Sequence, residues 1–372
     1  MSFSSPHALS SHAARCFSGS YAEARRKFLD AAALHDAHVE SFIHPELGAV
    51  GEVLATDVAY LGMPDADKLL IVSSATHGPE GFAGSGCQAA TLADADLRAR
   101  LAQAGIGLLL VHAINPHGFS HLRRTNEDNI DLNRNCIDFS APLPVNAAYA
   151  DVEPFVLPAT WPPTPADESA LAAYIATHGL PAYRAAISGG QYAVPDGIFY
   201  GGQAPSWSNR TMRTILRRYG AKARHVAWID IHTGLGPYGH GEKIYPGRND
   251  AADMKRARAW WGADVFAPFD GVSASADVTG PVVSTAYDEC PHASVTLMGL
   301  EFGTLPDLEV QRRLRADHWL HRHPEAPEAQ HLAIRAALRD AFYCDNDEWK
   351  GMVLGQTRTV LLQTLLGLQA AA

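Results

Sequence analysis

The sequence predicts an α/β fold organised on a largely parallel β-sheet, and three observations carry that prediction. Short, almost wholly apolar runs recur at 69–73, 106–114, 225–231 and 294–300, the pattern of strands buried on both faces. The first two runs are separated by a stretch with helical patterning, and strand, helix, strand is the unit from which parallel sheets are built. Three of the runs end in turns that hold ionisable residues beside glycine, at the strand ends where open α/β sheets bind their ligands.

In order along the chain, the first predicted element is a helix over 21–32 with Ser20 as its N-cap. Residues 53–61 are rich in strand formers, and a turn at 62–67 leads to the buried run Leu69-Leu-Ile-Val-Ser73. A small-residue segment from Phe82 opens a helical pattern that continues to about Gln103, followed by the strand at 106–114. Between 141 and 165 the chain carries seven prolines, few charges and Trp161. Proline at that density excludes a regular helix, so this stretch is expected to be a long surface insertion. Helical patterns resume at 167–178 and 210–219, with a strand at 225–231 and a helix over 253–262 leading to a second strand region. The last strong strand, 294–300, ends at Glu301-Phe-Gly-Thr304, and two or three amphipathic helices are expected beyond Pro306. With no internal repeat and no dividing linker, the expectation is a single domain over 1–372.

Composition narrows the partners. The chain has 372 residues, 47% hydrophobic and 19% charged, enough to bury a sizeable core. A formal net charge of -10 argues against nucleic acid or an anionic membrane as partner. Residues 1–9 lack a cationic segment ahead of an apolar run, which argues against a secretory signal. The apolar stretch 360–368 is too short and interrupted to span a bilayer. Five scattered cysteines without a CxxC fit reduced thiols in a cytoplasmic protein. Of the 18 histidines, His318, His321 and His323 lie in polar surroundings and are expected at the surface.

The chemistry centres on Ser74-Ala-Thr-His77-Gly-Pro-Glu80-Gly81. A histidine and a glutamate three apart, just past a buried strand, can reach one point, and they are the expected first two ligands of a catalytic zinc. His232 follows the strand at 225–231 and would complete a His2Glu set that leaves one zinc position open for water. Asp230, two residues earlier, would face the same way and back a ligand. Glu301 ends the last strand; beside a metal site it would be a general base. The alternative is a partnered or capping carboxylate. Arg123, Arg124 and the Asp131-Leu-Asn133-Arg134-Asn sequence could bind a carboxylate and stabilise an oxyanion, or could form an arginine-rich turn held by neighbouring acids.

Taken in order, HxxE, then Asn115-Pro-His-Gly118, then Arg124-Thr-Asn126, then Asp131-Leu-Asn-Arg-Asn135, then Ile229-Asp-Ile-His232 and the late Glu301 resemble the M14 zinc carboxypeptidase superfamily. The details His232-Thr-Gly-Leu-Gly-Pro-Tyr-Gly and Gly299-Leu-Glu-Phe-Gly-Thr304 resemble its DUF2817 branch. The resemblance implies a mixed, mainly parallel eight-stranded sheet sandwiched by helices. It implies one Zn2+ per chain held by His77, Glu80 and His232, with Glu301 as general base and proton shuttle. Arg124 matches the oxyanion-stabilising arginine, with Arg123 the less favoured register, and Asn133 and Arg134 match the pair that grips a terminal carboxylate. The chain departs from the pattern at His117, where the family has aspartate. No tyrosine clearly matches the mobile substrate-facing one: Tyr287 is the candidate taken, with Tyr238 the other.

The expected activity is therefore zinc-dependent hydrolysis of an amide bond beside a free carboxylate, on a small peptide or acyl-amino-acid substrate. Two alternatives stand beside it. One is an N-acyl-amino-acid deacylase of the aspartoacylase or succinylglutamate desuccinylase type. The other is a non-catalytic metal- or ligand-binding protein on the same fold.

Overall fold

A computed structural model describes residues 15–371; the stretch 1–9, read above for a targeting signal, lies outside them. One eight-stranded sheet organises the chain, with strands β1 (His38–Leu47), β2 (Val53–Leu61), β3 (Lys68–Ser73), β4 (Ile106–His112), β5 (His225–Tyr238), β6 (Gly241–Ile244), β7 (Val265–Phe266) and β8 (Ser294–Gly303). Their spatial order is β1-β2-β4-β3-β5-β8-β6-β7. The central neighbours β4, β3, β5 and β8 run parallel. β1 and β2 pair antiparallel to each other, β2 is antiparallel to β4, and β6 is antiparallel to β8. The sheet is mixed and mainly parallel, as expected.

The central strands are apolar throughout because both faces are covered. Alternation sends Leu70, Val72, Leu108, Leu110, Ile229 and Leu300 to one face. There they pack under the helices Tyr21–Leu34, Gly81–Ala93 and Asp347–Ala370. Leu69, Ile71, Leu109, Val111, Trp228 and Leu297 point the other way, against Met212, Ile215 and Leu216 of the helix Trp207–Tyr219. At about 25 cal/mol per Å² of apolar surface removed from water, these two layers supply most of the drive to fold.

The predicted elements hold, with four corrections. The helix Tyr21–Leu34 starts as read, with the Ser20 side chain accepting from the Glu23 N–H. The pattern from 82 to 103 is two helices, broken at Asp94, whose carboxylate accepts from Leu97 N–H and caps the second. β1 was not anticipated: it is an edge strand, largely solvent-exposed, and shows no apolar alternation for a sequence reading to find. The proline-rich insertion contains a helix, Ala147–Val156. Its prolines sit mostly outside that span; Pro154 lies inside it, in the last turn, where it forfeits a backbone bond. Tyr149, Val152 and Val156 are buried, so this part is no loose surface loop. Pro165 instead opens the helix Pro165–His178 at its first position, behind a Thr164 capping box. Finally, His318 is not a surface residue. It is fully buried on the helix Asp307–Arg322, which packs against Glu328–Phe342, and burial pushes its pKa down to about 4. No helix among the described residues is long and apolar enough to cross a membrane.

Candidate metal centre

Three parallel strands deliver the site. β3 ends at Ser73, and the backbone turns through Ala75, held at φ 55, to present His77 in an extended conformation before the short turn Gly78–Glu80. That turn lies so close to its neighbour that a Cβ on Gly78 would come within 2.1 Å of the Gly118 backbone; only glycine fits. The contact locks the HxxE turn to the segment that carries Arg124, whose carbonyl accepts from Gly78 N–H at 3.3 Å. On the other side, β5 and β8 pair in a register that puts His232 directly beside Glu301.

The side chains converge. His77 Nδ1 lies 2.8 Å from Glu80 Oε1, and His232 Nδ1 lies 2.8 Å from Glu80 Oε2. Ligand atoms of His77, Glu80 and His232 all fall within 4.8 Å of one another, the only such triad among the described residues. Each histidine uses its other nitrogen on a buried carboxylate: His232 Nε2 lies 2.7 Å from Asp230 and His77 Nε2 lies 3.3 Å from Asp131. Asp230 is itself fixed by the hydroxyls of Ser73 (2.6 Å) and Thr76 (2.7 Å). A carboxylate behind each imidazole selects the tautomer that leaves Nδ1 free to bind a metal. Two imidazole nitrogens and one carboxylate, with the fourth side open to a cavity, form a donor set that fits zinc.

The electrostatics follow from crowding acids and histidines into a buried space. Burial pushes the Glu301 carboxyl up, Glu80 adds to it by repulsion, and against the opposing pull of His232 and Arg124 it still reaches about 8. For Glu80, burial also raises the pKa, but His77 and His232 outweigh it and hold the carboxylate ionised. One acid is thus kept charged among the histidines while its neighbour readily takes a proton. Glu301 also accepts from Leu235 N–H at 3.0 Å.

The other predicted residues divide. Arg124 reaches the centre: its Nε donates to Asp131 at 2.9 Å and its Nη2 lies 2.9 Å from His77 Nε2. Arg123 turns away to Asn129, His321 and Asp317. Asn133, Arg134 and Tyr287 line the same cavity of about 1330 Å³ as His77, Glu80, His232 and Glu301. Asn133 spends its side-chain oxygen on Val282 N–H. Arg134 donates to the Ser188 carbonyl at 2.6 Å, and its buried Nε has no partner among the described residues. Tyr238 is exposed, pairs with Asn346 and is not part of the cavity wall.

Two residues were missed. Asp131, buried and shared by His77, Arg124 and the Asn133 N–H, was noted only as part of a motif. Phe199 lies 5.0 Å from the Arg124 guanidinium and 5.1 Å from that of Arg134, in a left-handed conformation with φ 54. A lone aromatic after a proline-rich insertion carries no sequence signal for such a place.

Comparison with known proteins bears on the family. The family described as "Protein of unknown function (DUF2817)" matches residues 17–356. No curated protein matches the sequence. Among solved structures, the carboxypeptidase A of Helicoverpa armigera is 14% identical, with a TM-score of 0.43, over 87% of this chain and 74% of its own. Bovine thrombin-activatable fibrinolysis inhibitor, in complex with tick carboxypeptidase inhibitor, is 11% identical over 93% and 99%, with a TM-score of 0.45. A Pseudomonas aeruginosa metallo-carboxypeptidase is 14% identical over 85% and 66%, with a TM-score of 0.42. At such identities no residue role transfers, and the site stands on its own geometry. The match over most of its length places this chain in the DUF2817 family.

Proposed function

We propose that this protein is a zinc-dependent hydrolase that cleaves an amide bond beside a free carboxylate. The observation that carries the reading is the convergence of His77 Nδ1, Glu80 and His232 Nδ1 in one cavity wall with Glu301 and Arg124. His77, Glu80 and His232 would hold the ion; when bound, it would lower the pKa of a coordinated water and polarise a carbonyl.

The chain's own groups supply the rest. Glu301 takes a proton from the attacking water and returns it to the leaving amine nitrogen, a role suited to a carboxyl that burial makes basic. Arg124 donates to the oxyanion that forms on the substrate carbonyl. With a metal on His77 Nδ1, the proton of that ring sits on Nε2 and is donated to Asp131. The Arg124 Nη1 also lies 3.3 Å from Glu80 Oε1, so the guanidinium stands at the edge of the ligand set. Arg134, with the Asn133 amide, receives the substrate's terminal carboxylate.

Replacing Glu301 with glutamine keeps the shape and removes the base. Glu301→Gln is expected to lower kcat by roughly 10²–10⁴-fold while zinc content, measured by elemental analysis, stays at the wild-type value. A variant with normal turnover would remove Glu301 from this role. A panel of N-blocked dipeptides and N-acetyl amino acids separates peptide cleavage from the deacylase alternative.

A further inference from the structure

The cavity continues past the metal-centre side chains towards a wall built after β6. Gly299 stands two residues before Glu301 on β8 and so faces the same side. A side chain there would meet His232 Cδ2 and Ile244 Cβ, each at 3.8 Å, so glycine leaves the space between them open. The chain leaving Ile244 lines that space with Tyr245 and Arg248, and Tyr287 comes in from the short helix Thr285–Glu289. These three residues are tied together. The Tyr245 hydroxyl donates to the Arg248 carbonyl at 3.1 Å, the Arg248 N–H donates to the Tyr287 hydroxyl at 3.4 Å, and the Arg248 guanidinium stacks 4.1 Å from the Tyr287 ring centre.

Charge balance singles out Arg248. The other arginines of the cavity wall have carboxylates: Arg124 and Arg134 share Asp131, Arg184 pairs with Asp307, and Arg213 pairs with Asp288 and Glu289. Arg248 has no carboxylate partner among the described residues. A guanidinium held over an aromatic ring face keeps N–H groups free to take a carboxylate in a two-pronged grip. Asp277 also lines the cavity and has no partner among the described residues. Both Arg248 and Asp277 are exposed, but nothing holds the Asp277 carboxylate in place, and Asp277 defines the opposite preference against which the test is set.

We propose that the wall formed by Tyr245, Arg248 and Tyr287 selects substrates in which the residue beside the scissile amide carries a second carboxylate, aspartate or glutamate. This rests on the hydrolase reading of the same site, so the test is a binding measurement that needs no turnover. Calorimetry on zinc-loaded Glu301→Gln protein compares N-acetylglutamate, N-acetylglutamine and Nα-acetyllysine. The glutamate compound is expected to bind roughly tenfold tighter than the glutamine compound, the scale of one charge-assisted pair. Arg248→Ala is expected to bring that ratio to about one, and Arg248→Glu to move the preference to Nα-acetyllysine.

Equal affinity for glutamate and glutamine, tighter binding of Nα-acetyllysine, no binding of any of the three, or a ratio untouched by Arg248→Ala would each overturn the proposal. If wild-type protein binds N-acetylglutamate selectively but hydrolyses no N-blocked peptide ending in glutamate, the hydrolase reading falls and the selection stands.

Discussion

Neighbouring arginines in this chain feed two buried acid clusters of opposite character. Arg123 points into the seam between the helices Asp307–Arg322 and Glu328–Phe342, where Asp317 accepts from both Arg123 and Arg335. Arg124 points into the cavity, where Asp131 accepts from it and backs His77. Around Asp317 two arginines, Arg123 and Arg335, converge on one carboxylate within the protein. Around Asp131, Arg124 and Arg134 are joined by His77, Glu301 is driven basic beside Glu80, and two imidazole nitrogens turn to the same carboxylate of Glu80. A closed ion cluster reports on stability, whereas one left electrostatically unfinished beside a cavity reports on function.

Truncating each arginine should separate the two roles. The largest effect on stability is expected from Arg123→Ala, which removes its buried bonds to Asp317 and Asn129 and leaves Arg335 as the one arginine on Asp317; losing a hydrogen bond to a charged group costs about 1.5–3 kcal/mol, read as a lowered midpoint in urea. Arg124→Ala is expected to lose roughly 10²–10³ in kcat/KM, the scale of one oxyanion donor. Its urea midpoint should fall much less, because Asp131 keeps the Asn133 N–H and His77. Equal stability losses in the two variants would erase the distinction between the clusters.

The smallest expected effect is on acid stability. Burial alone would raise the Asp317 carboxyl, but Arg123 and Arg335 outweigh it and hold it below the ordinary value. A carboxylate with a folded pKa below its unfolded one adds stability that is fully present above the unfolded pKa and lost as pH falls through the folded pKa. Thermal midpoints should therefore drop on acidification below about pH 4, and Asp317→Asn, less stable at neutral pH, should show a shallower drop. An unchanged acid slope in that variant would place the effect elsewhere.

Much of the fold and the centre of the site were legible because the signals are local. Leu69–Val72 and Leu297–Leu300 are apolar on both faces and announce buried strands. His77 and Glu80 follow the end of β3 and Glu301 lies near the end of β8, with glycine beside them; His232, expected just after a strand at 225–231, lies inside β5, which runs on to Tyr238. What was not legible depends on partners distant in sequence. β1 is an edge strand with little buried surface to impose a pattern. His318 looks like a surface histidine until a second helix covers it. Phe199 acquires its place between two arginines only when the 141–200 region folds back over the cavity, and the fate of Arg123 depends on Asp317, 194 positions away.

Zinc titration tests directly whether His77, Glu80 and His232 are metal ligands. Chelator-treated protein titrated with Zn2+ in a calorimeter should take up one ion per chain, release protons as it binds and gain thermal stability. His232→Ala should abolish the tight site while the protein remains folded by circular dichroism. Wild-type protein that binds no stoichiometric zinc, or a His232→Ala variant that binds it unchanged, would show that these residues do not form a metal site.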